Sequence, residues 1–140
     1  MYLIDTNIWL ELLLDQERAA EVASFLQAVD TSSLAMTDFT LYSIGIILTR
    51  LKKFDAFEDF VADTLEDDCL RVIRLNPSQL VQITSIQKQF ALDFDDAYQY
   101  VAAMENGLTL ISFDSDFDRT PTARITPVEV IRNSSQPPAS

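Results

Sequence analysis

The chain has 140 residues, 48% of them apolar, which suits one domain with a real core. It carries 22 acidic and 10 basic residues, a net charge of −12, so broad phosphate neutralisation is excluded as a source of nucleic-acid affinity; such contact needs a bound metal, a basic partner or a local patch. With no histidine, one cysteine and two glycines, the chain also excludes histidine-based catalysis, intrachain disulfides, Cys-rich zinc sites and Gly-rich nucleotide loops.

The first element is a short buried strand over residues 2–4. Its surroundings, "MYLIDTNIWLELLL", are apolar, but they lack a basic leader and contain Asp5 and Glu11. That is neither a signal peptide nor a membrane span, and the expected location is cytoplasmic. Helices follow over 7–15, with Trp9 expected in the core, and over 17–29, where Val22, Phe25, Leu26 and Val29 recur at helical spacing. A second strand covers 32–36. Thr37 is placed to cap a helix over 38–51, whose end carries Arg50, Lys52 and Lys53 where they suit the helix dipole. A helix over 55–66 ends in the acidic "EDD" of 66–68, expected to be solvated.

Cys69 is expected to be a small buried hydrophobe. A third strand covers 71–75, and Asn76 and Pro77 open a helix over 78–90. Asp93 is placed to cap a helix over 94–106, with Asp96 at its third position and Gly107 as its stop. The fourth strand covers 108–112. A fifth, over 125–131, is interrupted by Pro127 and is expected at an edge. The domain is expected to span 1–132, with 133–140 a disordered polar tail. Short apolar strands separated by helices predict a three-layer α/β/α sandwich on a mostly parallel sheet of four to five strands.

In such a sheet, ligands bind beyond the carboxyl ends of the strands. Asp5 follows the first strand and Asp114 the fourth. If those strands are neighbours, about 4.8 Å apart, their carboxylates converge. The helix over 94–106 returns into the fourth strand and so begins at the same edge, which brings in Asp96. Three close carboxylates repel unless a cation joins them, and an all-oxygen set suits Mg²⁺ or Mn²⁺. Such an ion activates water and neutralises phosphodiester charge. Each aspartate also fits a plainer role: Asp5 as turn former, Asp93 as cap, Asp95 as solvated charge, Asp96 as dipole partner, Asp116 and Asp118 as turn residues. Their convergence favours the site.

These stretches resemble the PIN-domain family, and within it the VapC-type toxins. "YLIDTNIWLELL" resembles the family's opening strand and Asp-Thr-Asn turn, and "FDDAYQYVAAMENGLTLISFDSDFD" resembles its second half, so the likeness extends to about residue 131. The resemblance implies Mg²⁺- or Mn²⁺-dependent cleavage of RNA, a small antitoxin partner and frequent homodimers. By motif match Asp5, Asp96 and Asp114 are acidic ligands, and Asp116 is an additional one. Thr6 and Asn7 support the first ligand, although Asn7 equally suits a helix cap. The family's second acid, a Glu in the helix after strand two, is replaced by Ser43. Asp38 lies five residues earlier, about 140° away around a helix, and is not expected to coordinate. Ser43 and the net charge leave a second reading open, a catalytically weakened PIN domain acting as a protein-interaction module. A phosphate-accepting pocket of the response-regulator kind is remote, because no lysine follows position 88.

Overall fold

The sheet is entirely parallel, and across it the third strand in the chain is followed by the second, the first and the fourth. The computed structural model describes residues 1–66 and 69–134. Its strands are β1 (Tyr2–Ile4), β2 (Leu34–Thr37), β3 (Arg71–Ile73) and β4 (Thr109–Ile111). Tyr2 pairs with Leu34 on one side and Thr109 on the other, so β1 and β4 end level with each other.

Helices cover both faces. α1 (Thr6–Leu13), α2 (Ala19–Ala28), α3 (Asp38–Arg50), α4 (Phe54–Leu65) and α8 (Pro127–Ser134) form one layer. The other holds α6 (Gln82–Phe90) and α7 (Phe94–Glu105), preceded by the short α5 (Pro77–Leu80). Successive strand residues feed the two cores. Leu3, Ala35 and Leu110 pack with Ile83, Ala97 and Val101; Ile4, Met36 and Ile111 pack with Ile8, Phe25 and Ile44. Both faces of each strand are thus covered, which is why the strand sequences are continuous apolar runs.

Local capping chemistry sets the helix ends. Thr37 accepts from the Thr40 amide at 3.0 Å, as its place in the sequence predicts. Asn76 and Gln79 form a reciprocal capping box behind Pro77. The single helix expected over 78–90 is interrupted at Val81, although that residue keeps helical angles (φ −61°, ψ −28°). Gly107 takes φ +62° just beyond α7, the left-handed stop expected of it.

The expected fifth strand is corrected. Ile125 alone bridges to Ile111, and Pro127 opens α8 instead of breaking a strand. Glu129 Oε1 accepts from the Thr126 amide and hydroxyl, at 3.3 and 2.9 Å, and Glu21 of α2 accepts from the Val128 amide at 3.0 Å. Proline at a first helical turn loses no hydrogen bond, so Thr126-Pro-Val-Glu129 starts a helix. Asn133 and Ser134 finish α8, and the rest of the expected tail lies outside the described residues. So do residues 67–68 of the acidic helix end, of which Glu66 is exposed. Cys69 is exposed before β3, not buried. Trp9 is in the core, its ring edge-on to Phe60 at 5.2 Å. Among the described residues no helix is long and apolar enough to cross a membrane.

Candidate active site

Because β1 and β4 are neighbours and end level, the residues that follow them share one rim. A cavity of about 290 Å³ opens there, lined by Asp5, Asn7, Ser43, Asp96, Gln99 and Asp114 among others, with no basic side chain among the described residues of its wall. A larger, mostly apolar cavity of about 440 Å³ lies between α1, α2 and α4 beside Trp9, and it contains none of these carboxylates.

Asp5 is the N-cap of α1 and is buried. Its Oδ1 accepts from the Thr6 amide at 2.8 Å and from Gln99 Nε2 at 2.9 Å. Its Oδ2 accepts from Ser112 Oγ at 2.7 Å and from Asn7 Nδ2 at 3.3 Å. Four donors therefore surround one carboxylate. Burial nonetheless raises its pKa above the usual carboxylate range; the bonds from Ser112, Gln99 and Thr6 oppose that rise, and repulsion from Asp114 adds to it.

Thr6 and Asn7, the other residues of the Asp-Thr-Asn turn, are structural partners of Asp5. The Thr6 hydroxyl shares a 2.9 Å hydrogen bond with Thr40. Asn7 does not cap α1; its amide nitrogen reaches Ser112 Oγ at 3.2 Å and its oxygen accepts from the Phe113 amide at 3.1 Å. The turn after β1 is thereby stitched to the turn after β4.

Asp96 lies in the first turn of α7, where the helix dipole favours a carboxylate. It is nevertheless pushed up to about 7, first by burial and then by the charges of Asp114, Asp95, Asp5 and Asp116. Asp93 occupies the N-cap position with extended backbone, but its side chain makes no capping bond, contrary to its expected role. Asp114 caps the short 3-10 turn Ser115–Arg119 by accepting from the Asp116 amide at 2.9 Å. Asp116 Oδ1 meets Arg119 at 3.0 Å on the exposed side.

Asp96, Asp114 and Asp116 each offer an oxygen within 4.8 Å of the others; Asp93, Asp95 and Asp96 form a second such group on α7. The expected trio of Asp5, Asp96 and Asp114 shares the pocket, and the closest group around Asp114 has Asp116 in place of Asp5. Ser43 is on the pocket wall, half-buried. Asp38 is elsewhere: its Oδ1 accepts from the Tyr98 hydroxyl at 2.6 Å and from the Phe39 amide at 2.8 Å, beside a separate cavity with Arg74 and Asn76.

The donor set fits a hard divalent ion. It is all oxygen, no basic side chain among the described residues lines the cavity, and Asp96 is raised first by burial and then by neighbouring carboxylates whose charge an ion would offset. Ser112 and Gln99 were not singled out by the sequence reading. A glutamine inside an Ala-rich apolar helix, one turn after Asp96, is the signal the sequence offers for Gln99; Ser112, at a strand's apolar end, offers none.

The PIN domain family model matches residues 2–123. No curated protein matches the sequence. Several solved structures share the fold. A toxin-antitoxin complex from Klebsiella pneumoniae superposes with a TM-score of 0.73 at 21% identity, over 91% of this chain and 98% of that one. VapC20 from Mycobacterium tuberculosis, described as a toxin cleaving the sarcin-ricin loop, gives 0.76 at 19% identity, over 91% and 100%. FitAcB from Neisseria gonorrhoeae gives 0.69 at 18% identity, over 91% and 99%. At these identities the structural likenesses speak for the fold, and the family match covers most of the chain: the protein belongs to the PIN domain family.

Proposed function

We propose that this chain is a divalent-metal-dependent endoribonuclease of the toxin type, acting on RNA phosphodiesters. The observation that carries the reading is the group of Asp96, Asp114 and Asp116 at the strand-end rim, with Asp5 in the same cavity. These four carboxylates would hold Mg²⁺ or Mn²⁺, with Thr6, Asn7 and Asp93 in supporting positions. When bound, the ion supplies an activated water and offsets charge on the phosphodiester. The protein's own share is positioning: Asp5 is fixed by its four donors, and Asp114 by the turn it caps. Ion binding requires ionised Asp96, so it releases a proton below about pH 7.

A small antitoxin and a second copy of the chain are the partners this reading includes; the Klebsiella pneumoniae relative is itself a toxin-antitoxin complex. The cytoplasm is the expected compartment. The test is cleavage of single-stranded RNA by the purified chain with Mn²⁺, with chelator and with the Asp5→Asn and Asp96→Asn variants. Cleavage that survives chelation or either substitution would refute it.

Ser43 on the pocket wall favours a second reading, in which the domain is catalytically weak and serves as a protein-interaction module. A wild-type chain without metal-dependent cleavage, together with a Ser43→Glu variant that has it, would select that reading.

A further inference from the structure

Gln99 is 2% exposed in the middle of α7, and every polar position of its side chain is bonded. Nε2 donates to Asp5 Oδ1 at 2.9 Å and to Thr40 Oγ1 at 2.6 Å, and Oε1 accepts from Thr37 Oγ1 at 2.8 Å. The amide orientation is determined by chemistry. Asp5 accepts in every bond it makes, from Thr6, Asn7 and Ser112 as well, so the donating nitrogen faces it. Thr37 Oγ1 accepts from the Thr40 amide at 3.0 Å and donates to Gln99 Oε1 at 2.8 Å, a shorter bond than the 3.3 Å to Thr40 Oγ1. Thr40 in turn shares its 2.9 Å bond with Thr6, the residue after Asp5. The result is a closed set of bonds joining the end of β1, the first turn of α3 and α7.

A purely structural role would be to satisfy the two threonine hydroxyls. An apolar side chain at 99 would fill the same core without the cost of burying an amide, and Thr37 and Thr40 would keep their bonds to the Thr40 amide and to Thr6. The one charged group in the set is Asp5, and Gln99 follows Asp96 by three residues, on the same side of α7. We propose that Gln99 is a positioning residue of the site: its amide sets Asp5 relative to Asp96 and ties both to the first turn of α3. In this chain α3 then acts on the carboxylates through Thr37, Thr40 and Gln99, while Ser43 supplies no charge.

The inference rests on the metal-binding reading for its consequence, but not for the contact itself, so the test has two arms. The first is calorimetry of the full chain with Mn²⁺ alone. Gln99→Met keeps the volume and removes the amide, and Gln99→Asn keeps an amide too short to reach Asp5. Each should bind Mn²⁺ about 10- to 100-fold more weakly than wild type, the range typical of lost partners behind a metal ligand. The measurement is made at a temperature where circular dichroism shows the variants folded; if Gln99→Met does not fold, Gln99→Asn carries this arm. Wild-type affinity in a folded variant overturns the proposal, since a merely structural role would lower stability alone.

The second arm needs no metal. In the ¹⁵N-labelled chain the Gln99 side-chain amide should be protected from exchange and should shift in Asp5→Asn. An amide exchanging at the solvent rate, or unmoved by that change, overturns the proposal. If wild type gives no Mn²⁺ binding, the metal reading fails by itself and this second arm alone decides whether Gln99 holds Asp5.

Discussion

Ser112 Oγ donates to Asp5 Oδ2 at 2.7 Å, which joins β4 to β1 by side chains where their backbone pairing ends. The same hydroxyl accepts from Asn7 Nδ2 at 3.2 Å and from the Asp114 amide at 3.0 Å. One fully buried oxygen thus fixes both the first acidic residue and the start of the last acidic turn. Ser112→Ala leaves the Asp114 amide without its acceptor and Asp5 without a donor. We expect a stability loss of about 1–3 kcal/mol in urea denaturation, and Mn²⁺ affinity lower by about tenfold or more in calorimetry. Unchanged affinity would show that Ser112 only braces the fold.

Tyr98 provides the contrasting case. Its hydroxyl donates to Asp38 at 2.6 Å and accepts from the Leu75 amide at 3.2 Å. Burial, and then the bond to Asp38, push the phenol up to about 12, so it remains a donor at any ordinary pH. Tyr98→Phe should cost about 1–3 kcal/mol of stability and leave Mn²⁺ affinity within about twofold, because Asp38 lies outside the carboxylate pocket. A large loss of metal affinity in this variant would mean that Asp38 belongs to the site after all.

Much of this arrangement was readable from local chemistry. An aspartate directly after an apolar strand, a Thr cap before an amphipathic helix and a Gly stop are signals carried by a few neighbouring residues, and strand-helix alternation then dictates which ends meet. The unreadable part depends on distant partners. Asp5 is bonded to Gln99 and Ser112, 94 and 107 positions away, and nothing local shows how its two oxygens are divided among donors. The misread fifth strand had a different cause. Pro127 breaks a strand when taken alone, but between Thr126 and Glu129 it starts a helix. Cysteine as a residue type favours burial, but at Cys69 the exposed approach to an edge strand overrides that preference.

The raised Asp96 has a consequence for stability with a definite sign. Its carboxyl ionises near 3.8 in the unfolded chain and at about 7 in the folded one. Between those values the folded state holds the extra proton, so this group's contribution falls as pH rises through the window and is level above it. Asp96→Asn has no such term. Without metal, the variant should therefore gain on wild type from about pH 4 to 7, by on the order of 1–3 kcal/mol once solvent screening is allowed for. Saturating Mn²⁺ should reverse the order at pH 7.5, since only wild type is expected to bind it. Denaturation curves across pH, with and without Mn²⁺, check both halves. A gap that shrinks with rising pH would contradict the electrostatics assigned to Asp96.

Ser43 faces the carboxylate cavity from α3, at the position where the family resemblance places an acid. Glutamate is a good helix former, so Ser43→Glu carries little backbone cost. Without metal it adds a further acidic group to a wall that already holds Asp5, Asp95, Asp96 and Asp114, and like charges in a confined cavity destabilise one another. With metal the same charge becomes a ligand. The variant should thus melt lower than wild type in chelator, bind Mn²⁺ about tenfold or more tightly, and recover its melting temperature as Mn²⁺ is added, because ligand binding stabilises by RT ln(1 + [L]/Kd). Calorimetry and melting curves at matched Mn²⁺ concentrations measure both effects. If Ser43→Glu lowers the metal-free melting temperature but leaves Mn²⁺ affinity at the wild-type level, the side chain reaches the carboxylates without reaching the ion, and the ligand set closes on the β1, α7 and β4 side alone.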